Sequence, residues 1–255
     1  MNAGPVLARR CFLGLSVAAT AVALSGAGVA GEARSPVVVE LFTSQGCSSC
    51  PPADALLGEL AQRSGVIALS LNVDYWDYLG WRDTLGSPEH TKRQRDYAAR
   101  RGDGQVYTPQ MVINGRRHVV GSRREQVYDV IGEEVGRDPD TTVAMSMAEH
   151  GNELVIDIAG APTDRLRQDS TVWLLMLQPQ VDVVIERGEN AGRTITYSNA
   201  VRKLMPAGMW HGDAVKLVLP KADLMGDAGV ACAAVLQVGG TGPIIGATWM
   251  PAGGS

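Results

Sequence analysis

The sequence has few aromatic residues, and this shortage excludes a core built mainly from large rings. Aromatic side chains make up 5% of the 255 residues, with two phenylalanines among them, whereas glycine occurs 30 times. Glycine is the residue that tight turns and close backbone approaches require. The composition therefore favours strands, short turns and the packing of small side chains.

The sequence also lacks an excess of positive charge. The formal net charge is −4, so no strongly basic field is present to attract nucleic acid or an anionic membrane surface. Beyond about the first 30 residues, no apolar run is long enough to cross a bilayer. We therefore expect no nucleic-acid partner and no retained membrane segment.

The N-terminal stretch is typical of an export signal. Arg9 and Arg10 precede an apolar run from Cys11 to Ala30, and small residues follow where a signal peptidase would cut. With Phe12-Leu13 after the arginine pair, the stretch is similar to a twin-arginine signal. An ordinary Sec signal and a retained anchor are the alternatives. We predict that residues 1–33 are cleaved and that the mature protein is periplasmic or secreted.

Residues 36–137 alternate strand and helix patterns. Short apolar runs bounded by turn residues predict buried strands, and apolar residues at helical spacing predict amphipathic helices. In chain order these are strand 37–42, helix 52–64, strand 66–73, helix 88–101, a strand hairpin about Asn114-Gly115, and helix 122–136. The order βαβαββα predicts an α/β domain.

After residues 137–140, which we interpret as a linker, the hydrophobic period changes from 3.6 to 2. Segment 141–255 is predicted as a mainly antiparallel, sandwich-like β domain, because short strand patterns alternate with turn residues. The predicted strands are Thr142–Ala148, Glu153–Ala159, Thr171–Leu177, Val181–Ile185, Thr194–Met205, Ala214–Leu219, Gly229–Val238 and Pro243–Trp249.

The most informative stretch is Val37–Ala53, in which a strand and a turn lead to Cys47 and Cys50 at the start of a helix. This spacing fits a redox dithiol or half of a zinc site. A structural zinc site needs four ligands, but the histidines show no paired spacing. Cys232 lies in a distant apolar run, where we expect a buried, inert thiol. An oxidising compartment allows a Cys47–Cys50 disulfide, so we predict no metal and no cofactor beyond that redox-active disulfide.

Thr108-Pro109 precedes a later strand, and with the strand–turn–C-x-x-C–helix order it makes residues 36–137 resemble the thioredoxin-like superfamily. The stretches V-E-L-F-T-S-Q-G-C-S-S-C-P-P-A-D and V-D-Y-W-D-Y-L-G-W also resemble a family of exported bacterial proteins catalogued as domain of unknown function 1223. A segment that matches Gly188–Arg193 recurs in that family, so the resemblance covers nearly the whole mature chain. It implies a fold and names no reaction.

Roles for individual residues follow from the helix start and from the resemblance. The positive end of a helix dipole favours a thiolate, so Cys47 would be the attacking nucleophile and Cys50 the resolving cysteine. The resemblance implies a cis bond between Thr108 and Pro109, which would hold the backbone ready to pair with an extended substrate. Glu40 is either an edge acid that reaches water or a buried acid that carries a proton for Cys50.

An aromatic and acidic segment, residues 74–83, follows the second strand. It therefore lies at the carboxyl end of that strand, where ligand sites in open α/β sheets concentrate. We predict that Tyr75, Trp76, Asp77 and Trp81 form a wall of the substrate site.

Three functions fit these features. The first is an exported thiol–disulfide oxidoreductase acting on protein or small thiol substrates, with a separate redox partner. The second is a copper metallochaperone that holds Cu(I) on the two thiolates, with Met111 or His118 as a third ligand. The third is a non-enzymatic binding or assembly protein on a thioredoxin-like scaffold, in which the cysteines form a staple.

Overall fold

A computed structural model describes residue 1 and residues 35–221 and 231–251. The predicted signal peptide, residues 1–33, lies outside the described residues from residue 2 onward, so export and cleavage stay predictions. None of the described helices is long and apolar enough to span a bilayer.

The first part of the chain has the predicted order of elements. Its strands are β1 (Val37–Thr43), β2 (Val66–Asn72), β3 (Gln110–Ile113) and β4 (Arg117–Val120), and its helices are α1 (Pro51–Ala61), α2 (Pro88–Arg101) and α3 (Arg124–Val135). Local chemistry explains the bounds of α2. Ser87 Oγ caps its start by accepting from Glu89 N at 3.1 Å, and Gly102 ends it with φ of 74°. The Asn114-Gly115 turn is also confirmed, because both residues have positive φ.

The second part consists of strands β5 (Met145–His150), β6 (Glu153–Ile158), β7 (Ser170–Val184), β8 (Thr194–Trp210), β9 (Val215–Pro220), β10 (Ala231–Val238) and β11 (Ile244–Met250). Three single-turn 3₁₀ helices, Asp77–Leu79, Pro139–Thr141 and Asp164–Leu166, complete the described elements. The predicted break inside β7 was wrong. Pro179 lies within that strand, opposite Asn199, where the ladder skips a residue and Asn199 has φ of 47°.

The described strands form a mixed sheet of eight strands and an antiparallel sheet of three strands. The larger sheet has the order β11-β10-β7-β8-β2-β1-β3-β4, and the smaller has the order β5-β6-β9. β1 and β2 are parallel, and β8 meets β2 at Ala200 beside Ser70. The antiparallel strands expected after residue 140 are confirmed. Segments 36–137 and 141–255 share the larger sheet, and their division into two domains stays a prediction.

Three apolar clusters of the described residues lie between these layers, and a fourth, smaller one contains Leu85, Ile185, Ile195, Tyr197 and Ala200. Helices α1 and α3 pack on one face of β1 and β3, and α2 packs on the other face. The three-stranded sheet packs against β7 and β10, which gives this end its sandwich-like section. Cys232 is fully buried in this last cluster, with its Sγ 3.8 Å from Met176 Sδ, and burial raises the pKa of its thiol to about 11. The prediction of a buried thiol is confirmed.

A buried ionic cluster links β1 and α2 of the first part of the chain to β10 of the second part. Glu40 of β1 accepts from Arg93 Nε at 2.6 Å and from Tyr97 Oη at 2.5 Å. Arg93 also donates to Gln237 Oε1 of β10 at 3.0 Å, and its guanidinium carbon lies 5.7 Å from the Trp173 ring centre. Burial alone would lower the pKa of Arg93, but attraction to Glu40 and Tyr97 outweighs it and raises that pKa.

Candidate functional site

The two loops singled out in the sequence meet at one edge of the sheet. Because β1 and β2 run parallel, the segments after Thr43 and Asn72 leave the sheet on the same side. Cys47 and Cys50 lie in the first of these loops and form a disulfide with a Cα–Cα distance of 5.4 Å. Cys50 is the N-cap of α1.

The start of α1 offers the sulfur atoms few backbone donors. The first two helical positions are Pro51 and Pro52, which have no N–H group. The next two N–H groups, of Ala53 and Asp54, already donate to Cys50 O at 2.8 and 3.1 Å. The helix dipole still favours a thiolate at Cys47, but direct stabilisation by helix N–H groups is largely absent. Ser49 Oγ, 3.5 Å from Cys47 Sγ, is the polar neighbour that remains.

The disulfide is almost completely covered. Cys47 is 2% exposed and Cys50 is 0% exposed, whereas Ser48 and Ser49 between them are exposed. An incoming thiolate therefore reaches Cys47 Sγ only when one of its covering segments moves.

Residues 75–81 form one covering segment, fixed by its two tryptophans. Trp76 Nε1 donates to Thr108 Oγ1 at 2.8 Å, and Trp81 Nε1 donates to Gln45 Oε1 at 2.8 Å. The Thr108–Pro109 peptide bond, which the resemblance implied to be cis, is cis. The aromatic segment thus contacts both the dithiol loop and the Thr-Pro loop.

Gly46 allows this close approach. A Cβ atom at Gly46 would lie 3.0 Å from Trp76 Cβ, closer than side-chain atoms pack. A larger residue before Cys47 would push the Trp76 side chain away from the disulfide.

The other predicted wall residues have different surroundings. Tyr75 is partly buried beside Trp76, with ring centres 6.1 Å apart, and burial raises the pKa of its hydroxyl. Asp77 Oδ1 accepts from Asp83 N at 3.0 Å and so shapes the loop. Tyr78, which lies between the tryptophans, is 78% exposed and offers the most accessible ring of the segment.

Asp83 connects the dithiol loop to the end of β2 through hydrogen bonds. It is 4% exposed, and its Oδ2 accepts from Gln45 N at 2.8 Å and from Asn72 Nδ2 at 3.0 Å. Burial raises the pKa of this carboxyl, and the donated hydrogen bonds oppose the rise. Asp83 therefore fixes the turn that leads into the dithiol.

A second covering segment comes from the distant β7–β8 hairpin. Asn190 is fully buried, and its Nδ2 donates to Gln45 O and to Cys47 O, each at 2.9 Å. Both amide hydrogens are thus used to hold the dithiol loop. The segment Gly188–Arg193 therefore contacts the dithiol loop through Asn190.

Asp54 is a buried acid one helical turn after Cys50. Residues four apart lie on the same side of a helix, and Asp54 is 3% exposed. Neither of its carboxylate oxygens has a hydrogen-bond partner in the described part of the chain. Burial raises the pKa of Asp54 to about 8, the nearby Thr43 hydroxyl opposes the rise in part, and the charge of Asp83 adds to it. At neutral pH this carboxyl can hold a proton in the first turns of α1.

Glu40, by contrast, does not serve the dithiol. It is buried at 1% exposure, as the proton-carrier hypothesis requires. However, alternate strand residues face opposite sides of a sheet, and Val39 and Leu41 face α1 whereas Glu40 faces α2. Its carboxylate is bonded to Arg93 and Tyr97, which corrects the proposed role in proton transfer to Cys50.

Comparison with other proteins identifies the family. A family model described as "Protein of unknown function (DUF1223)" matches residues 38–237. The chain belongs to this family. The chain is also similar to a protein from Agrobacterium tumefaciens with a solved crystal structure: the two are 35% identical, with a TM-score of 0.72, over 84% of this chain and 93% of that chain. No curated protein gives a significant match. The family resemblance seen in the motifs is therefore confirmed.

Within this family member, two site residues escaped sequence reasoning. Asp54 had a readable signal, because it follows Cys50 by four residues and precedes Leu57 by three on the apolar side of α1. The sequence signal for Asn190 was weaker, because the segment around it is typical of an ordinary loop. Its contact depends on a hairpin that returns over the dithiol from 143 residues away.

The two candidate third ligands of the copper alternative, His118 and Met111, have other surroundings. His118 Nδ1 is 2.9 Å from Tyr107 Oη, and His118 Nε2 is 3.2 Å from Asp103 Oδ2, so the ring is engaged away from the dithiol. Met111 is fully buried in the apolar cluster under α1. Within the described residues, no three His, Cys, Asp or Glu side chains are grouped to hold a metal ion.

We expect Asn190→Ala to expose the disulfide. Loss of two buried hydrogen bonds leaves two carbonyl groups without their donor, at a cost of about 1–3 kcal/mol in unfolding free energy. The loosened loop should let dithiothreitol reduce Cys47–Cys50 several times faster, as measured by alkylation and mass spectrometry. Asn152→Ala, in an exposed turn, is the control. Equal reduction rates in all three proteins would contradict the covering role.

Proposed function

We propose that this protein is an exported thiol–disulfide oxidoreductase that acts through Cys47 and Cys50. The observation that carries the proposal is a disulfide at the carboxyl edge of the sheet with a protonatable buried acid, Asp54, one turn along the same helix. Perturbed acids beside reactive groups are typical of functional sites. The cis Thr108–Pro109 segment and the aromatic segment beside it supply surfaces for a protein or small thiol substrate.

The proposed reaction balances without a further cofactor. In the oxidising direction, a substrate thiolate attacks Cys47 Sγ and forms a mixed disulfide, while Cys50 leaves as a thiolate and takes the proton of Asp54. A second substrate thiolate then attacks the substrate sulfur and releases Cys47. The substrate loses two electrons, and the dithiol gains them. In the reducing direction each step is reversed, and the Asp54 carboxylate accepts the Cys50 proton.

We further propose that residues 36–137 have a thioredoxin-like arrangement. Parallel β1 and β2, the antiparallel pairs β1–β3 and β3–β4, and helices on both faces support it. The motif Cys47-Ser48-Ser49-Cys50 and the position of Thr108-Pro109 support it as well. The export-signal pattern of residues 1–33 supports a periplasmic or secreted location, where such a disulfide persists.

The direct test measures whether the protein reduces a disulfide-linked reporter peptide and whether this reduction requires Cys47 and Cys50. We expect Cys47→Ser to abolish turnover, because the attacking sulfur is lost, and Cys50→Ser to stop after one mixed disulfide. Cys232→Ala, which alters a buried thiol in a separate apolar cluster, should retain activity. Full activity in Cys47→Ser would end this proposal.

The second candidate is a binding protein in which the disulfide only stabilises the fold. One observation favours it. Cys47 is 2% exposed, as a structural disulfide would be. In that case the Cys47→Ser/Cys50→Ser double variant would lose stability, and no reporter would be turned over by the wild type. The two candidates therefore give opposite results in the same assay.

A further inference from the structure

A cleft lined by arginines lies at the opposite edge of the sheet from the disulfide. The hairpin after β3 marks this edge, because Asn114 N donates to Val38 O near the start of β1. A cavity of about 430 Å³ opens beside it. Its arginines are Arg100, Arg101, Arg116, Arg117 and Arg137, contributed by the end of α2, the β3–β4 hairpin and the segment after α3.

The positive charge of this cleft is only partly neutralised. Glu134 is the acidic residue among those lining the cavity, and its carboxylate serves Arg137 at 3.4 Å, Arg116 at 3.7 Å and the Asn114 amide at 3.0 Å. Five arginines against one glutamate leave a formal charge of +4 on the lining, and Asp103 and Glu133, which pair with Arg101 and Arg117 from just outside it, reduce this to +2. The whole chain has a net charge of −4, so this cluster is not the background of a basic protein.

Two guanidinium N–H groups of the lining lack a hydrogen-bond acceptor in the part of the chain that the structure describes, although Arg116 Nε lies 3.7 Å from Glu134 Oε2. Arg101 Nη1 and Arg116 Nε are buried and have no hydrogen-bond partner among the described residues. Their side chains are 15% and 23% exposed, which is unusual for a solvated charged face. Burial and repulsion from Arg137 lower the pKa of Arg116, as expected where positive charge is crowded and poorly solvated.

One of these arginines, Arg101, is held in place by hydrogen bonds. Arg101 donates to Asp103 Oδ2 at 2.8 Å and to Gln105 O at 3.1 Å, which fixes its plane. Arg100 lies against the β10–β11 turn, where a Cβ at Gly242 would meet its Nη2 at 2.9 Å. No described residue forms an ion pair with Arg100. Arg100 is exposed, and a guanidinium without a carboxylate partner is available to bind an anion.

We propose that this cleft binds a small multivalent oxyanion of the phosphate class. Guanidinium groups bind phosphate oxygens through paired, charge-assisted hydrogen bonds. The cavity is within the size range of small-molecule sites and larger than one phosphate group requires, so a phosphorylated small molecule or a diphosphate fits better than free phosphate. This inference is independent of the function of the disulfide.

The test is calorimetric titration of the protein with inorganic pyrophosphate at low salt, with inorganic phosphate in parallel. We expect saturable one-to-one binding of pyrophosphate, weaker binding of phosphate, and affinity that falls as sodium chloride is added. Arg100→Gln should weaken binding about 10-fold, because one charge-assisted contact is lost. Arg100→Gln/Arg116→Gln should weaken it by about 100-fold.

Controls separate binding from unfolding and from net charge. Arg100 has no ion pair among the described residues, so its replacement should leave the thermal unfolding midpoint unchanged. Arg202→Gln, at an exposed position on β8 outside the cavity lining, removes the same charge and should change affinity less than 2-fold. Absence of saturable pyrophosphate binding by the wild type would overturn the proposal. An equal loss in Arg202→Gln would also overturn it, because it would show a general charge effect.

Discussion

Arg93→Ala is expected to destabilise the protein by about 3–5 kcal/mol, because it leaves the Glu40 carboxylate buried without its cation. Glu40 is 1% exposed and Arg93 is 4% exposed, so water cannot replace the lost contact without opening the core. The same change removes the Arg93 bond to Gln237, which links α2 to β10. Urea unfolding followed by tryptophan fluorescence measures the change.

Two further variants sharpen this prediction. Arg95→Ala, on an exposed position of the same helix, should change stability by less than about 0.5 kcal/mol. The double variant Glu40→Leu/Arg93→Met replaces the pair by apolar side chains and should recover much of the loss. A loss below about 1 kcal/mol in Arg93→Ala would show that this buried pair does not hold the two parts of the chain together.

Asp54→Asn is expected to change how stability depends on pH. The pKa of Asp54 is raised from 3.8 to about 8 in the folded protein, so between these values the folded state keeps a proton that the unfolded state releases. Stability contributed by this group therefore falls as pH rises from about 4 to about 8. Asparagine cannot ionise, so the variant should match wild type near pH 4 and exceed it by roughly 2–5 kcal/mol above pH 8.

The measurement is the urea midpoint of the oxidised protein across this pH range. Asp129→Asn, at an exposed position on α3, is the matched control and should follow the wild-type curve. The same Asp54→Asn variant should slow release of Cys50 from the disulfide near neutral pH, because the proton donor is lost. Parallel stability curves for Asp54→Asn and wild type would contradict a raised pKa at this carboxyl.

The order of elements up to residue 137 could be predicted because its signals are local. Pro51-Pro52, Ser87 and Asn114-Gly115 mark boundaries by their own backbone chemistry. The joining of β2 to β8 had no such signal, since it depends on a contact between Ser70 and Ala200. Pro179 led to the wrong prediction of a break in β7 for a related reason. A strand tolerates proline where the opposite residue, here Asn199, does not take part in the ladder.

The residues of the candidate site also differ in whether the sequence alone could predict their positions. Cys47, Cys50 and the Thr108–Pro109 bond could be placed from motifs, and Trp76 and Trp81 from their position after β2. The charged sequence of α2 is typical of a solvated face, yet Arg93 is buried against Glu40 and Gln237, and His90 is buried with its Nδ1 2.9 Å from Asn72 O. The surroundings of the two buried acids could not be predicted from strand position alone: Glu40 is paired with Arg93, whereas Asp54 is buried on α1 with a raised pKa.

The central claim is that Cys47 is a nucleophile in thiol–disulfide exchange, and trapping a mixed disulfide tests it most directly. The Cys50→Ser variant, in its reduced and folded state, is mixed with a disulfide-linked reporter peptide and analysed by intact-mass spectrometry and peptide mapping. We predict that one reporter half adds per protein, that it maps to Cys47, and that Cys47→Ser/Cys50→Ser forms no adduct. A folded Cys50→Ser protein that forms no adduct at Cys47 would contradict the claim.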